Sequence, residues 1–143
     1  MGERGQRCAK VKERLIISAL CIVGLCLLLV INWFSLHRIN KNNVEKIQIG
    51  NSQTASGFNA EDTAKFVELF NSASYTGKAK GWGITPEWTV YVHYRDGSYL
   101  MVSDASGVGN FEIKLCDAFL RTAHYYIHSE ELETFILDLM DKP

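Results

Sequence analysis

From Leu15 to Leu36 the chain runs for 22 residues without a charge, LIISALCIVGLCLLLVINWFSL. At about 1.5 Å per helical residue this stretch reaches about 33 Å, and the hydrocarbon core of a bilayer is about 30 Å thick. The expectation is one transmembrane helix. A cleavable signal peptide has an apolar region of only about 7–15 residues and then small residues at the cleavage point. Here the run is longer, and Asn-Trp-Phe-Ser-Leu-His closes it. Lipid attachment needs a small residue directly before a cysteine, whereas Cys21 and Cys26 both follow leucine. The segment therefore reads as an uncleaved anchor with two membrane-embedded cysteines.

Charge sets the expected orientation. Arg4, Arg7, Lys10, Lys12 and Arg14 crowd the positions before the span, against Arg38, Lys41 and Lys46 just after it. By the positive-inside rule the N-terminus is expected to be cytoplasmic and the rest extracytoplasmic, with Trp33 in the outer aromatic belt. The sequence divides into a cytoplasmic tail (1–14), the transmembrane helix (15–36), a polar linker (37–43) and an extracytoplasmic domain (44–143). A tail of that length leaves no room for a cytoplasmic enzyme or DNA-binding module. The span carries no ionisable residue for an ion path, and Gly24 is its only glycine, so a Gly-x-x-x-Gly helix contact is absent.

Residues 37–143 hold ten Lys and Arg against fourteen Asp and Glu. Nucleic-acid binding needs concentrated positive charge to displace condensed counterions, and no such cluster is present. Cys116 is the one cysteine of this region. It cannot close an internal disulfide and reads as a small buried apolar residue, so the domain is expected to stand on its core alone.

Within the domain, Val44 to Ile49 alternates as a first strand, with Ile47 and Ile49 on one face, and Asn51 to Gly57 reads as a loop. Asn59 is a suitable N-cap, followed by Glu61 and Asp62 in a first turn. Thr63, Phe66, Val67 and Phe70 recur at helical spacing and predict a helix over Ala60–Asn71. Ser72 to Pro86, rich in glycine, reads as loop. Trp88 to Val102 is a hairpin around Asp96-Gly97, the dipeptide that a two-residue type I′ turn prefers. That turn sets Tyr94 opposite Tyr99, Val92 opposite Met101 and His93 opposite Leu100. Phe111, Ile113 and Leu115 alternate as a fourth strand. Thr122–Ile127 is a candidate fifth strand, with Asp117–Arg121 a turn or short helix. Ser129 caps a last helix in which Leu132, Phe135, Ile136, Leu139 and Met140 form one stripe. The fold class is α+β: an antiparallel sheet of 4–5 strands with two helices packed on one face.

This arrangement resembles the small extracytoplasmic domains of uncharacterised lipoproteins and membrane-anchored proteins of Gram-positive bacteria. The resemblance covers Val44 to Met140 and lies in VEKIQI, the helix around FVELF, the hairpin VYVHYRDGSYLMV and the closing YYIHSEELETFI. The chain departs from the lipoprotein form in lacking the lipid-attachment cysteine. The resemblance implies no catalytic residues.

The constellations that might carry chemistry are sparse. His124 and His128 would share a metal ion on a helix, but Tyr125, Tyr126 and Ile127 favour a strand, where four residues span about 13 Å. Gly107-Val108-Gly109 is not followed by a helix and reads as a turn. Ser98, Ser103 and Ser106 lie near Asp96, Asp104 and His93, yet no Gly-x-Ser-x-Gly elbow occurs, and turns favour Ser and Asp for their own backbone bonds. No enzyme, metal or cofactor site is expected. The candidates are interaction residues: Trp82 on its Gly-Trp-Gly loop, and Tyr91, His93, Leu100 and Val102 on the hairpin face that the helices would leave open. The expected function is a membrane-anchored binding module whose partners are the lipid bilayer and another membrane or envelope protein. A small-ligand sensor or accessory subunit is the alternative.

Overall fold

In the computed structural model the described residues are 3–50, 55–79, 85–116 and 122–141. The chain forms two compact units, Met1–His37 and Arg38–Pro143. The first is a single helix, α1 (Glu3–His37), 35 residues long. Its window Arg14–Ile31 is long and apolar enough to cross a membrane. The helix begins twelve residues ahead of the apolar run, because Arg, Lys, Gln, Glu and Ala extend an existing helix at little cost.

The second unit contains β1 (Val44–Gly50), β2 (Ala55–Gly57), α2 (Ala60–Ser72), β3 (Ser74–Lys78), β4 (Thr89–Tyr94), β5 (Tyr99–Asp104), β6 (Asn110–Cys116), β7 (Thr122–His128) and α3 (Glu130–Met140). The seven strands form one antiparallel sheet in the order β2-β1-β4-β5-β6-β7-β3. The α+β class holds, and the expected four or five strands become seven. The two additions, β2 and β3, lie in segments read as loops. Both are edge strands, Ala-Ser-Gly and Ser-Tyr-Thr-Gly-Lys, and β3 is largely exposed. Edge strands need only ladder bonds, so their sequences lack the apolar alternation that marks a half-buried strand. Thr122–His128 is the strand β7; Asp117–Arg121 lies outside the described residues.

The helices start where their caps place them. Asn59 accepts a hydrogen bond from the Asp62 amide at 2.8 Å, and Ser129 Oγ accepts from the Leu132 amide at 3.2 Å. α2 buries Phe66, Val67, Leu69 and Phe70, and α3 buries Leu132 and Ile136. Phe58 packs edge-on against both Phe66 and Phe135, so the two helices share one side of the sheet. Met140, at the end of the expected stripe, is exposed. The sheet meets the helices with Ile47, Ile49, Val90, Val92, Leu100, Val102, Phe111, Ile113, Tyr125 and Ile127, all buried. Val44 joins this side because a bulge between Val44 and Lys46 restores its phase with Ile47.

The central hairpin departs from its expected register. Three residues, Arg95, Asp96 and Gly97, make the loop. The Gly97 amide donates to the Tyr94 carbonyl and the Tyr94 amide to the Ser98 carbonyl, both at 3.0 Å. Gly97 sits at φ +85°, the left-handed position that ends a three-residue loop. The Asp96 carboxylate takes both the amide and the hydroxyl of Ser98, which holds the loop in this form. Val92 consequently pairs with Leu100, and His93 with Tyr99. The one-residue slip exchanges the faces of β5. Leu100 and Val102, expected on the open face, are 2% and 0% exposed in the core, and Met101 is turned outward.

On this register Leu100→Ala is expected to destabilise residues 38–143 by about 2–5 kcal/mol, the cost of a cavity at a buried leucine. Tyr99→Ala, one residue away on the other face, is expected to cost about 1 kcal/mol or less. Urea unfolding followed by far-ultraviolet circular dichroism separates the two; equal losses would contradict the register.

Candidate functional site

The face of the sheet opposite the helices is a grid whose rows follow from the strand pairings. One row runs Gln48, Tyr91, Met101, Lys114, His124, and the next runs Lys46, His93, Tyr99, Cys116, Thr122. Every side chain in these two rows is half-buried or exposed, and Tyr99 is 37% exposed. Tyr91 and His93 stack along β4, their ring centroids 6.4 Å apart and their planes 25° from parallel. Of the candidate residues, Tyr91 and His93 are brought together on this open face. Leu100 and Val102 are withdrawn to the core, and Tyr99 and Met101 stand in their places. Trp82 lies outside the described residues.

Polar contacts organise the rest of the face. His124 Nε2 pairs with the Glu112 carboxylate, the diagonal neighbour on β6, and His128 Nδ1 lies 3.1 Å from Asn110 Oδ1. The two histidines project from one strand toward different partners. Among the described residues no three His, Cys, Asp or Glu side chains converge as a metal ion requires. The serines near Asp96 and Asp104 are occupied separately: Ser98 bonds to Asp96, and Ser103 shares a buried hydroxyl contact of 3.0 Å with Thr89. Asp104 accepts from the Trp88 amide at 3.3 Å. The Gly107–Gly109 turn docks against the start of α3. There Gly109, at φ +70°, donates to Glu133 at 2.8 Å and accepts from the Ser129 amide at 2.7 Å. A Cβ on Gly109 would lie 2.9 Å from the Glu130 nitrogen, so glycine is required there.

Three phenols have raised pKa values. On the open face a hydrogen bond to Cys116 pushes Tyr99 up, helped by the charge of the same thiol group. Desolvation raises Tyr94, with the Asp96 carboxylate adding to it. Tyr125, buried in the core, is raised by desolvation and then by Tyr94 and Tyr75. Each therefore remains a neutral hydroxyl at physiological pH.

Comparisons with protein-family models, with curated proteins and with solved structures return no match to this chain. The residues that sequence reasoning missed, Tyr99 and Met101, carried a signal in the Arg-Asp-Gly-Ser run, which also fits a three-residue loop with glycine last. Glu112 and His124 gave none, because their meeting depends on the β6–β7 register.

The raised pKa values of Tyr94 and Tyr125 fix the sign of an alkaline transition. Both folded-state values exceed the unfolded one, so the neutral phenols contribute fully below about pH 10, and stability falls as pH rises above it. Urea midpoints at about pH 9 and about pH 11 are expected to fall less for Tyr125→Phe than for the native chain, because the variant lacks one ionisation.

Proposed function

We propose that this chain is a single-pass membrane protein with a cytoplasmic N-terminus. Its 44–143 domain is a non-catalytic binding module of the small extracytoplasmic kind that its sequence resembles. The partner is another membrane or envelope protein, captured on the open face of the sheet. The supporting observation is the make-up of that face: Tyr91, His93, Tyr99 and Met101 lie together in two adjacent rows, flanked by Lys46 and Lys114. Tyrosine and methionine are enriched at protein interfaces, and aromatic anchors contribute most of the binding energy there. The complementary partner surface is one of aliphatic side chains edged with carboxylates. Tethering by α1 keeps the module beside such partners and raises their effective concentration.

Two measurements test this reading. A membrane-impermeant maleimide applied to intact cells is expected to label Ser56→Cys in a background lacking the native cysteines, and to leave a chain carrying Cys8 alone unlabelled until the membrane is permeabilised. The reverse pattern would invert the topology. Cross-linking in native membranes is expected to capture a defined partner. The double substitution Tyr91→Ser/Tyr99→Ser is expected to weaken capture by at least about tenfold, as loss of two aromatic anchors predicts. The same variant should retain its unfolding free energy to within about 1 kcal/mol. Undiminished capture would remove this face from the interaction.

A further inference from the structure

A cleft of about 280 Å³ opens where the β5–β6 turn meets the outer strands. Its walls come from four strands and one turn: Thr76 of β3, Asp104 of β5, Ser106 of the turn, Asn110 and Glu112 of β6, and Tyr126 of β7. The walls are held by bonds within the chain. Asn110 Nδ2 donates to the Ser106 carbonyl at 2.9 Å, and the Ala105 amide donates to the Asn110 carbonyl at 3.0 Å. Thr76 sits at the bulge between Tyr75 and Gly77, where Gly77 pairs with Tyr126. Asp104 has one oxygen fixed by the Trp88 amide, and Glu112 has one fixed by His124. Each carboxylate therefore keeps a second oxygen, and among the described residues the hydroxyls of Thr76, Ser106 and Tyr126 make no hydrogen bond within the chain.

This lining selects a ligand class. Among the described residues the lining holds two carboxylates and no cation, a combination that repels anions. An ammonium ion can take lone pairs from the carboxylates and the hydroxyl oxygens but offers the hydroxyl protons no acceptor. Adjacent hydroxyls on a sugar both give and take, and the Tyr126 ring offers apolar surface to sugar C–H groups. The volume lies just below the range of about 300–1,000 Å³ typical of small-molecule sites, so it suits one ring. We propose that this cleft binds a single neutral, hydroxyl-rich sugar ring. It goes beyond protein docking and uses residues other than Tyr91 and Tyr99.

The test is saturation-transfer difference NMR on the full chain in lipid nanodiscs, with methyl β-N-acetylglucosaminide as the probe and ethanolamine as the cationic alternative. Transfer to the sugar ring protons is expected with a Kd on the order of 1 mM, the affinity of a ligand this small at ordinary efficiency. Ser106→Ala/Tyr126→Leu is expected to raise that Kd about tenfold or more. Ser106→Ala alone, an exposed position, provides a folded control with a smaller rise in Kd. Binding is expected to persist in Tyr91→Ser/Tyr99→Ser, which separates this site from the protein-docking face. Absence of transfer at about ten times that Kd, an affinity unchanged in both cleft variants, or preference for ethanolamine would each overturn the proposal.

Discussion

The three-residue turn Arg95-Asp96-Gly97 is the constraint on which the domain depends. It joins β4 to β5 in the middle of the sheet, and every strand from β5 to β7 inherits its phase. Because side chains alternate with a period of two, a loop shorter by one residue would turn Leu100 and Val102 into water and Tyr99 and Met101 into the core. The left-handed Gly97 and the Asp96–Ser98 bonds make that alternative unfavourable locally. Burial of Leu100 and Val102, worth about 1.5–3 kcal/mol for each side chain, opposes it globally. Local turn chemistry and core packing agree.

The same phase separates the two faces of the sheet. One side gathers Val, Ile, Leu and Phe beneath α2 and α3. The other gathers methionine together with tyrosine, histidine and lysine, whose polar tips reach water while their bodies cover the sheet. Contacts such as Tyr91–His93 and Glu112–His124 order this surface and leave it half-exposed. At the two edges, β2 and β3 are short, and β3 carries a bulge and the exposed Lys78, features that discourage open-ended strand pairing.

The two helices of the domain and its inner strands are legible in the sequence to within a residue or two, because Asn59 and Ser129 are explicit caps and Phe66, Phe70, Leu132 and Ile136 repeat at helical spacing; α1 begins twelve residues before its expected start. The edge strands were not legible, since Ala-Ser-Gly and Ser-Tyr-Thr-Gly-Lys are too short and polar to show an apolar period. Half of the hairpin face was read on the correct side: Tyr91 and His93 belong to β4, whose phase follows from its own alternation. Leu100 and Val102 were read on the wrong side because β5 is placed by the turn, and Asp-Gly fits both a two-residue and a three-residue loop.

The amino-acid sequence by itself determined an uncharged 22-residue helical stretch and an α+β domain after it, since both follow from periodicity and composition within contiguous segments; the helix itself runs on to 35 residues. Tertiary structure alone decided which tyrosines and histidines share a surface, how Glu112 meets His124, and that Thr76, Ser106 and Tyr126 border one cleft. Those neighbours are up to 50 positions apart in the chain. Their meeting is set by strand register, which no local pattern encodes.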